Sequence, residues 1–168
     1  MTVSIYTAST PLLSHMLQAL SNVLGKAATN AAERKIDPSV FVNARLAPDM
    51  LALARQVMIA TDMSKAGIAR LAGVENPKYE DNETTIEELQ ARIAKTIAFM
   101  QSIPESAIAG TDAKEITFKA GPRDMSFSGA DYLLKWVIPN MMFHVTTAYD
   151  ILRHNGVPVG KRDFLGNV

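Results

Sequence analysis

Cysteine is absent from the sequence, which excludes a disulfide framework, a thiolate nucleophile and a cysteine-ligated zinc site. The absence also fits a reducing compartment, so a cytoplasmic location is expected. No uninterrupted run of about 18 apolar residues occurs, so we expect no membrane-spanning helix. No basic segment precedes the apolar residues near the N-terminus, so no signal peptide is expected either.

Net charge is also absent, because 17 lysines and arginines balance 17 acids, and aromatic residues make up only 7%. Balanced charge provides no field that would attract nucleic acid or an anionic membrane, and few aromatics are left for base stacking. We therefore expect neither nucleic acid nor a membrane as a partner. The 168 residues, 48% of them hydrophobic, are expected to form a single domain over residues 1–168.

Apolar residues recur at spacings of three and four in four segments, which predicts four amphipathic helices. Each segment also carries start or stop signals such as a hydroxyl N-cap, a proline in the first turn or a glycine after the end. The predicted helices run from Thr10 to about residue 34, from residues 46–49 to Gly73, from a capping box at Thr85 to just before Pro104, and from Ser128 to Gly156.

Two short alternating segments lie between the third and fourth predicted helices. EITFK (115–119) and MSFSG (125–129) are separated by AGPRD, which contains glycine and proline turn signals. They predict a small β-hairpin. Pro139 lies inside the fourth helix and removes one backbone hydrogen bond, so a kink or local unwinding is expected there. The predicted fold class is all-α: a four-helix bundle with a small β-hairpin between helices 3 and 4.

The apolar stripes of the second and fourth predicted helices become polar halfway along. The polar residues are Thr61, Asp62, Ser64 and Lys65 on the second helix, and Asn140, His144 and Thr147 on the fourth. Burying such groups unpaired costs about 1–3 kcal/mol each, so they should pair with one another, hold water or line a pocket. Helical bundles commonly build ligand and metal sites at this position, although a satisfied polar layer that fixes helix register is the simpler alternative.

His144 is the strongest single candidate for chemistry. With an ordinary pKa of about 6.5, a histidine can act as a general base or as a metal ligand, and Asp62 would orient it if the two helices are neighbours. A hydrogen-bonded core histidine is the alternative. A metal needs about three converging donors, and His144 and His154 lie about 15 Å apart along one helix, too far to share an ion. The third histidine, His15, lies off the apolar stripe of the first helix. A site of Asp62, His144 and water is the remaining metal arrangement.

Nucleophile and phosphate-binding motifs are missing, since neither G-x-S-x-G nor S-x-x-K occurs and the glycines at 156–166 do not join a strand to a helix. The Met-Met-Phe run at 141–143 and Trp136 cover the flanks of the fourth helix. They either pack into the core or form a homodimer face.

Several stretches resemble one bacterial protein family. They are ARLAPDM (44–50), ARQVMIATD (54–62), RLAGVENPKYEDNETT (70–85), ELQARIAKTIAF (88–99) and IPNMMFHVTTAYDILRHNGVPVGKRDFLG (138–166). Over nearly the whole chain they resemble the domain of unknown function DUF1993, whose fold is similar to that of the DinB-like four-helix bundles. That group is often described as candidate metalloenzymes. The resemblance implies a DinB-like bundle, commonly a homodimer, with a central pocket between helices.

DinB-like relatives hold a divalent metal with a histidine triad and include thiol-dependent transferases and isomerases. This chain has Asp62 on the second helix where such a triad has histidine, and His144 has no histidine four residues away. His144 is therefore the one ligand that the resemblance carries over. The first hypothesis is a protein that binds a small molecule in a polar central pocket with Asp62, Asn140 and His144. The alternatives are a non-catalytic dimeric protein and a divalent-metal-dependent thiol transferase or hydrolase.

Overall fold

Four long helices and a two-stranded hairpin dominate the structure, a computed structural model that describes residues 3–167. The helices are α1 (Thr10–Arg34), α2 (Ser39–Val42), α3 (Leu53–Ala72), α4 (Ile86–Ser102), α5 (Gly129–Asp131), α6 (Ile138–His154) and α7 (Lys161–Leu165). The antiparallel strands are β1 (Glu115–Ala120) and β2 (Arg123–Ser128), and a 3-10 turn, Glu105–Ala107, precedes them. The predicted helical fold with a hairpin between its third and fourth long helices is confirmed.

The long helices surround one hydrophobic cluster. Helices α1 and α3 both pack against α4 and α6 and also contact each other, so each long helix contacts at least two others. The largest fully buried side chains in the cluster include Tyr132, Phe41, Leu13, Leu17, Leu20, Leu24, Leu53, Ile68, Leu71 and Ile93. Within residues 3–167, none of the helices combines the length and the apolar character that crossing a membrane would need.

Most helix ends lie where the local signals predict them. Helix α1 covers the predicted range, and α3 ends before Gly73, whose φ of +74° is the left-handed conformation that favours glycine. The predicted capping box opens α4: the Thr85 hydroxyl accepts from the Glu88 amide at 3.2 Å, and the Glu88 carboxylate accepts from the Thr85 amide at 3.0 Å. Backbone amides of Thr84 and Thr85 also hold the pKa of Glu88 below its usual value.

The predicted start of the second long helix is wrong. Helix α3 begins at Leu53 and not at residues 46–49, because residues 44–52 form a closed loop. The Leu53 amide donates to the Ala44 carbonyl at 2.9 Å, and Arg45 donates to the Met50 carbonyl at 2.6 Å. A proline followed by an acid suits a turn as well as a first helical turn, and here the loop contacts decide between them.

The expected disturbance near Pro139 takes the form of a π-helical segment. Residues Tyr132–Val137 have π-helical hydrogen bonding and lie between α5 and α6 without a break. A proline cannot donate the backbone bond of a regular α-helix, and a π-helical turn is one way for a helix to absorb that loss. Gly67 of α3 packs directly against this segment, since a Cβ there would lie 2.6 Å from Val137 Cγ1.

The hairpin covers the π-helical segment with aromatic rings. Phe118 lies 5.4 Å from both Tyr132 and Trp136, measured between ring centroids. Arg70 stacks over the Phe118 ring and donates to the Tyr132 hydroxyl at 2.8 Å. Burial raises the pKa of Tyr132, so this phenol stays protonated under ordinary conditions. The hairpin therefore contributes packing on the outside of the helical body.

Candidate functional site

Four of the seven predicted polar site residues donate to a backbone carbonyl of their own helical turn. The bonds are Thr61 to Met58 at 2.7 Å, Ser64 to Ala60 at 2.8 Å, Asn140 to Trp136 at 2.6 Å and Thr147 to Phe143 at 2.8 Å. Such bonds satisfy a buried hydroxyl or amide without a partner on another helix. The polar midsections of α3 and α6 thus need no shared pocket to satisfy these groups.

His144 contacts α3 through Gln56. The Nδ1 atom of His144 lies 2.7 Å from Gln56 Oε1, and Gln56 is 1% exposed. The Gln56 amide nitrogen donates to the Leu51 carbonyl at 3.0 Å, which fixes which end of the amide faces the imidazole. Since Oε1 can only accept, Nδ1 must carry the hydrogen. The neutral imidazole then has its lone pair on Nε2.

Burial favours the neutral form of this imidazole. His144 is half-buried, and burial lowers the pKa of its ring below the ordinary value of 6.5. The Phe143 ring stands edge-on beside it, with the centroids 5.2 Å apart. A neutral ring with a fixed tautomer presents Nε2 as an acceptor that can take a hydrogen bond or a proton.

Gln56 occupies the position that the sequence analysis assigns to Asp62. The Asp62 carboxylate pairs instead with Arg92 at 3.0 Å and with Lys65 at 3.1 Å. Asp62 thus lies in an ion-pair network, while the imidazole of His144 hydrogen-bonds to a neutral amide. Whether Asp62 or His144 has a catalytic role stays a prediction.

Arg92 of α4 forms the centre of a network that the sequence analysis did not identify. We call Arg92 and its three acidic partners Asp62, Asp81 and Glu83 the Arg92 cluster. The guanidinium, with its side chain 2% exposed, donates to Asp62 at 3.0 Å, to Asp81 at 3.1 Å and to both oxygens of Glu83 at 3.0 and 3.1 Å. It also donates to Thr61 Oγ1 at 2.8 Å and to the Glu80 carbonyl at 2.9 Å. A guanidinium satisfied on every side fixes segment 76–83 against α3 and α4.

Tyr79 lies among three cations beside this cluster. Its ring is 4.1 Å from the Lys65 Nζ, 4.2 Å from the Lys95 Nζ and 5.2 Å from the Arg92 guanidinium carbon. Lys65 also donates to the Pro77 carbonyl at 2.5 Å. Burial raises the pKa of Tyr79. Each of these cation–π contacts helps to hold segment 76–83 in place.

Two surface clefts flank segment 76–83 and share Lys78 and Tyr79. One, of about 440 Å³, has Arg92 and Lys95 in its wall. The other, of about 380 Å³, includes Asp62 and Lys65 but neither Asn140 nor His144. The structure therefore brings Asp62 and Lys65 together on one side of α3, and it places His144 with Gln56.

A divalent metal, which the family resemblance implies, does not fit the side chains present. Within residues 3–167, no group of three or more histidines, aspartates or glutamates is arranged to hold a metal ion. The nearest partner of His144 is an amide already bound to a backbone carbonyl. His15 contacts the Leu165 carbonyl at 2.6 Å, and His154 is exposed at the end of α6. No histidine triad can be assembled from these positions.

Comparison with known proteins shows that the chain matches a protein family and is similar to a solved structure. The model of the family described as "Domain of unknown function (DUF1993)" matches residues 5–165. A crystal structure of a DinB family member protein from Shewanella denitrificans is 40% identical in sequence, with a TM-score of 0.89. The match covers 97% of this chain and 92% of that one. No curated protein matches the sequence at a significant level.

Proposed function

We propose, because this chain belongs to the DUF1993 family and shares the fold of a DinB family member, that it binds a small molecule through the imidazole of His144. The observation that carries the proposal is the anchored His144–Gln56 pair. Gln56 is held by the Leu51 carbonyl and in turn sets the tautomer of His144. A hydrogen bond that fixes the tautomer at Nδ1 leaves Nε2 in a defined state for binding or proton transfer.

The ligand that suits Nε2 of a neutral imidazole carries a hydrogen-bond donor, such as a hydroxyl, an amide N–H or a thiol. Asn140 lies one helical turn before His144, and its amide nitrogen already donates to Trp136, so its Oδ1 is available as a second acceptor. If the bound molecule reacts, His144 acts as the general base and Gln56 stabilises the charged ring. A metal-dependent transferase or hydrolase is not proposed, because the side chains around His144 do not fit a metal.

A non-catalytic dimeric protein is the second candidate, and one observation favours it. The donor groups of Thr61, Ser64, Asn140 and Thr147 on α3 and α6 are satisfied by carbonyls of their own helices, so these polar groups do not need a bound ligand. Phe143 is 54% exposed and Leu51 is 43% exposed, and the His144–Gln56–Leu51 contacts bring these apolar side chains to the same region. We propose this region as a homodimer face. The cytoplasmic location expected from the lack of cysteine also stays a proposal.

Proton NMR of the His144 ring tests the ligand proposal directly. The Hε1 signal of His144 is identified by its loss in His144→Phe, and it is followed while phenol, N-methylacetamide or glutathione is added to about 10 mM, a range that detects millimolar binding. We expect at least one of these donors to shift the signal with saturation. Gln56→Leu should weaken that binding about tenfold, since the tautomer is no longer fixed. His154→Gln, a change of an exposed histidine on the same helix, should leave the binding unchanged.

The absence of any saturable shift with all three probes would overturn the ligand proposal. Sedimentation equilibrium then tests the second candidate. A homodimer that Phe143→Asp dissociates, with unchanged helix content, supports the proposed face. A protein that stays monomeric at all concentrations contradicts it.

A further inference from the structure

The cleft of about 380 Å³ that includes Asp62 and Lys65 lies between α3 and segment 76–83. Asp62, Ala66 and Arg70 follow one another at intervals of four residues, so they share one face of α3 and form one wall of the cleft. The opposite wall consists of Asn76, Pro77, Lys78, Tyr79 and Asp81. This cleft therefore combines charged groups with the apolar surface of alanine, proline and tyrosine side chains.

The acids of this cleft are balanced by cations of the protein itself. Asp62 pairs with Arg92 at 3.0 Å and with Lys65 at 3.1 Å. Asp81 pairs with Arg55 at 2.6 Å and with Arg92 at 3.1 Å. The side chain of Lys65 is only 4% exposed, so its ammonium serves Asp62 and does not face a solute. The two carboxylates and Lys65 thus belong to the network around Arg92.

Two further cations line the cleft, Arg70 on α3 and Lys78 on segment 76–83. Neither of them forms an ion pair with another residue in the range 3–167. Arg70 is partly exposed and Lys78 is exposed, so a solute in the cleft can reach both side chains. The cleft therefore presents two accessible positive charges that the protein does not neutralise.

The guanidinium of Arg70 is held in one orientation by uncharged groups. Its central carbon lies 4.5 Å from the centroid of the Phe118 ring, and one terminal nitrogen donates to the Tyr132 hydroxyl at 2.8 Å. That hydroxyl is also 3.5 Å from the Ala66 carbonyl, so the guanidinium reaches back along the cleft wall towards Ala66. A planar guanidinium that is already oriented can bind a carboxylate or a phosphate through two parallel hydrogen bonds.

We propose that this cleft binds a small organic oxyanion, a carboxylate or a phosphate ester, whose oxygens accept hydrogen bonds from Arg70 while Lys78 lies beside them. Carboxylates and phosphates share the paired oxygens that match a guanidinium. The apolar surface of Ala66 and Pro77 suits the carbon part of such a molecule. This site is independent of the proposal for His144, which does not line the cleft.

Titration of the full chain with glutarate and with phenyl phosphate, followed by the amide NMR signals of residues 62–78, tests the proposal. Sodium chloride keeps the ionic strength constant, and the uncharged glutaramide is the control ligand. We expect saturable shifts at millimolar concentrations with at least one of the two anions, and none with glutaramide. The anion that binds more tightly shows whether a carboxylate or a phosphate is the preferred group.

Variants of the two cations locate the binding. Arg70→Gln should weaken the binding of the anion about tenfold, because it removes the charged pair of donors, and Arg70→Lys should weaken it less. Lys78→Gln should weaken it about threefold, since an exposed ammonium contributes less. Arg123→Gln, a change of an exposed arginine on β2 outside the cleft, should leave the binding unchanged.

Three results would overturn the proposal. One is the absence of saturable shifts with both anions, and another is binding of equal strength in wild type, Arg70→Gln and Lys78→Gln. The third is a loss in Arg123→Gln as large as that in Arg70→Gln, which would show attraction to surface charge in general. Arg70 also packs against the hairpin, so circular dichroism verifies the fold of each variant. If Arg70→Gln fails to fold, Lys78→Gln decides, because Lys78 forms no ion pair within residues 3–167.

Discussion

Replacing Arg92 with methionine tests whether a buried guanidinium holds segment 76–83 against α3 and α4. The segment has no regular secondary structure, and Arg92 contacts it through Asp81, Glu83 and the Glu80 carbonyl. Methionine keeps most of the apolar stem but removes every donor. The three carboxylates of the Arg92 cluster then lose their common partner.

The expected loss follows from the exposure of those carboxylates. Removing one partner of a fully buried ion pair costs about 3–5 kcal/mol, because the other charge stays buried and unpaired. Here Glu83 is only 13% exposed, but Asp62 and Asp81 are 36% and 38% exposed and can regain water. We therefore expect Arg92→Met to lower the free energy of unfolding by about 2–4 kcal/mol. For a chain of this length, each kcal/mol corresponds to about 2–4 °C in Tm.

Urea unfolding followed by circular dichroism measures the loss, and limited trypsin cleavage after the exposed Lys78 reports on the segment itself. Arg55→Met is the matched control, since Arg55 pairs with the same Asp81 at 2.6 Å but is 42% exposed. That variant should lower the free energy of unfolding by less than about 1 kcal/mol. The loss for Arg92→Lys should lie between those for Arg92→Met and Arg55→Met, because an ammonium keeps the positive charge but not the planar guanidinium that bonds several acceptors at once. Cleavage after Lys78 should accelerate only in the Arg92 variants.

The pH dependence provides a second check. Hydrogen bonding from Arg55, with further help from Arg92, holds the pKa of Asp81 below its ordinary value of 3.8. A lowered acid pKa stabilises the fold above the unfolded value, and that stability is lost as the pH falls through the folded value. The difference in the free energy of unfolding between wild type and Arg92→Met should therefore shrink below about pH 4 as Asp81 is protonated. A cost of Arg92→Met no larger than that of Arg55→Met at neutral pH would refute the reasoning.

Two further predictions concern α3 and α6. Gly67→Ala should lower the free energy of unfolding by about 1–2 kcal/mol, because crowding against Val137 outweighs the better helix propensity of alanine. In a double-mutant cycle, Val137→Ala should recover part of that loss. A Gly67→Ala protein more stable than the wild type would contradict the close approach of the two residues. Burial lowers the pKa of His144 in the folded protein, so on acidification the unfolded chain takes up a proton at this ring before the folded chain does. The free energy of unfolding should therefore decrease as the pH drops through about 6.5. In urea unfolding at several pH values, His144→Phe should lose this slope, and an unchanged slope would show that His144 titrates normally.

Local signals in the sequence predict those parts of the fold that depend on neighbouring residues. The capping box at Thr85, the end of α3 at Gly73 and the hairpin turn are all set within a few residues of chain, and each is confirmed. The start of α3 is not predicted, because the bond from Leu53 to Ala44 closes a loop that the residues at 46–49 do not reveal. A motif that suits both a turn and a helix start is decided by such longer contacts.

The Arg92 cluster lies beyond local signals for a similar reason. Arg92 is next to the apolar Ile93 on α4, while its acidic partners lie 9 to 30 residues away in the chain. Segment 74–83 reads as an ordinary polar connection. Two features of the sequence together give the one available signal: a lone arginine beside an apolar helix face, and an acid-rich segment just before that helix. A buried arginine needs acidic partners, and that segment can supply them.

The separation of Asp62 from His144 follows from the geometry of a helix with two neighbours. Gln56 and Asp62 are six residues apart on α3, so they point in directions about 120° apart around its axis. Gln56 thereby meets α6, and Asp62 meets α4 and segment 76–83. Periodicity in one sequence gives the angle between two side chains but does not say which neighbouring helix each will contact. A polar midsection on a helix between two partners can therefore supply two separate interfaces, and on α3 it supplies an amide to a histidine on one side and a carboxylate to an arginine on the other.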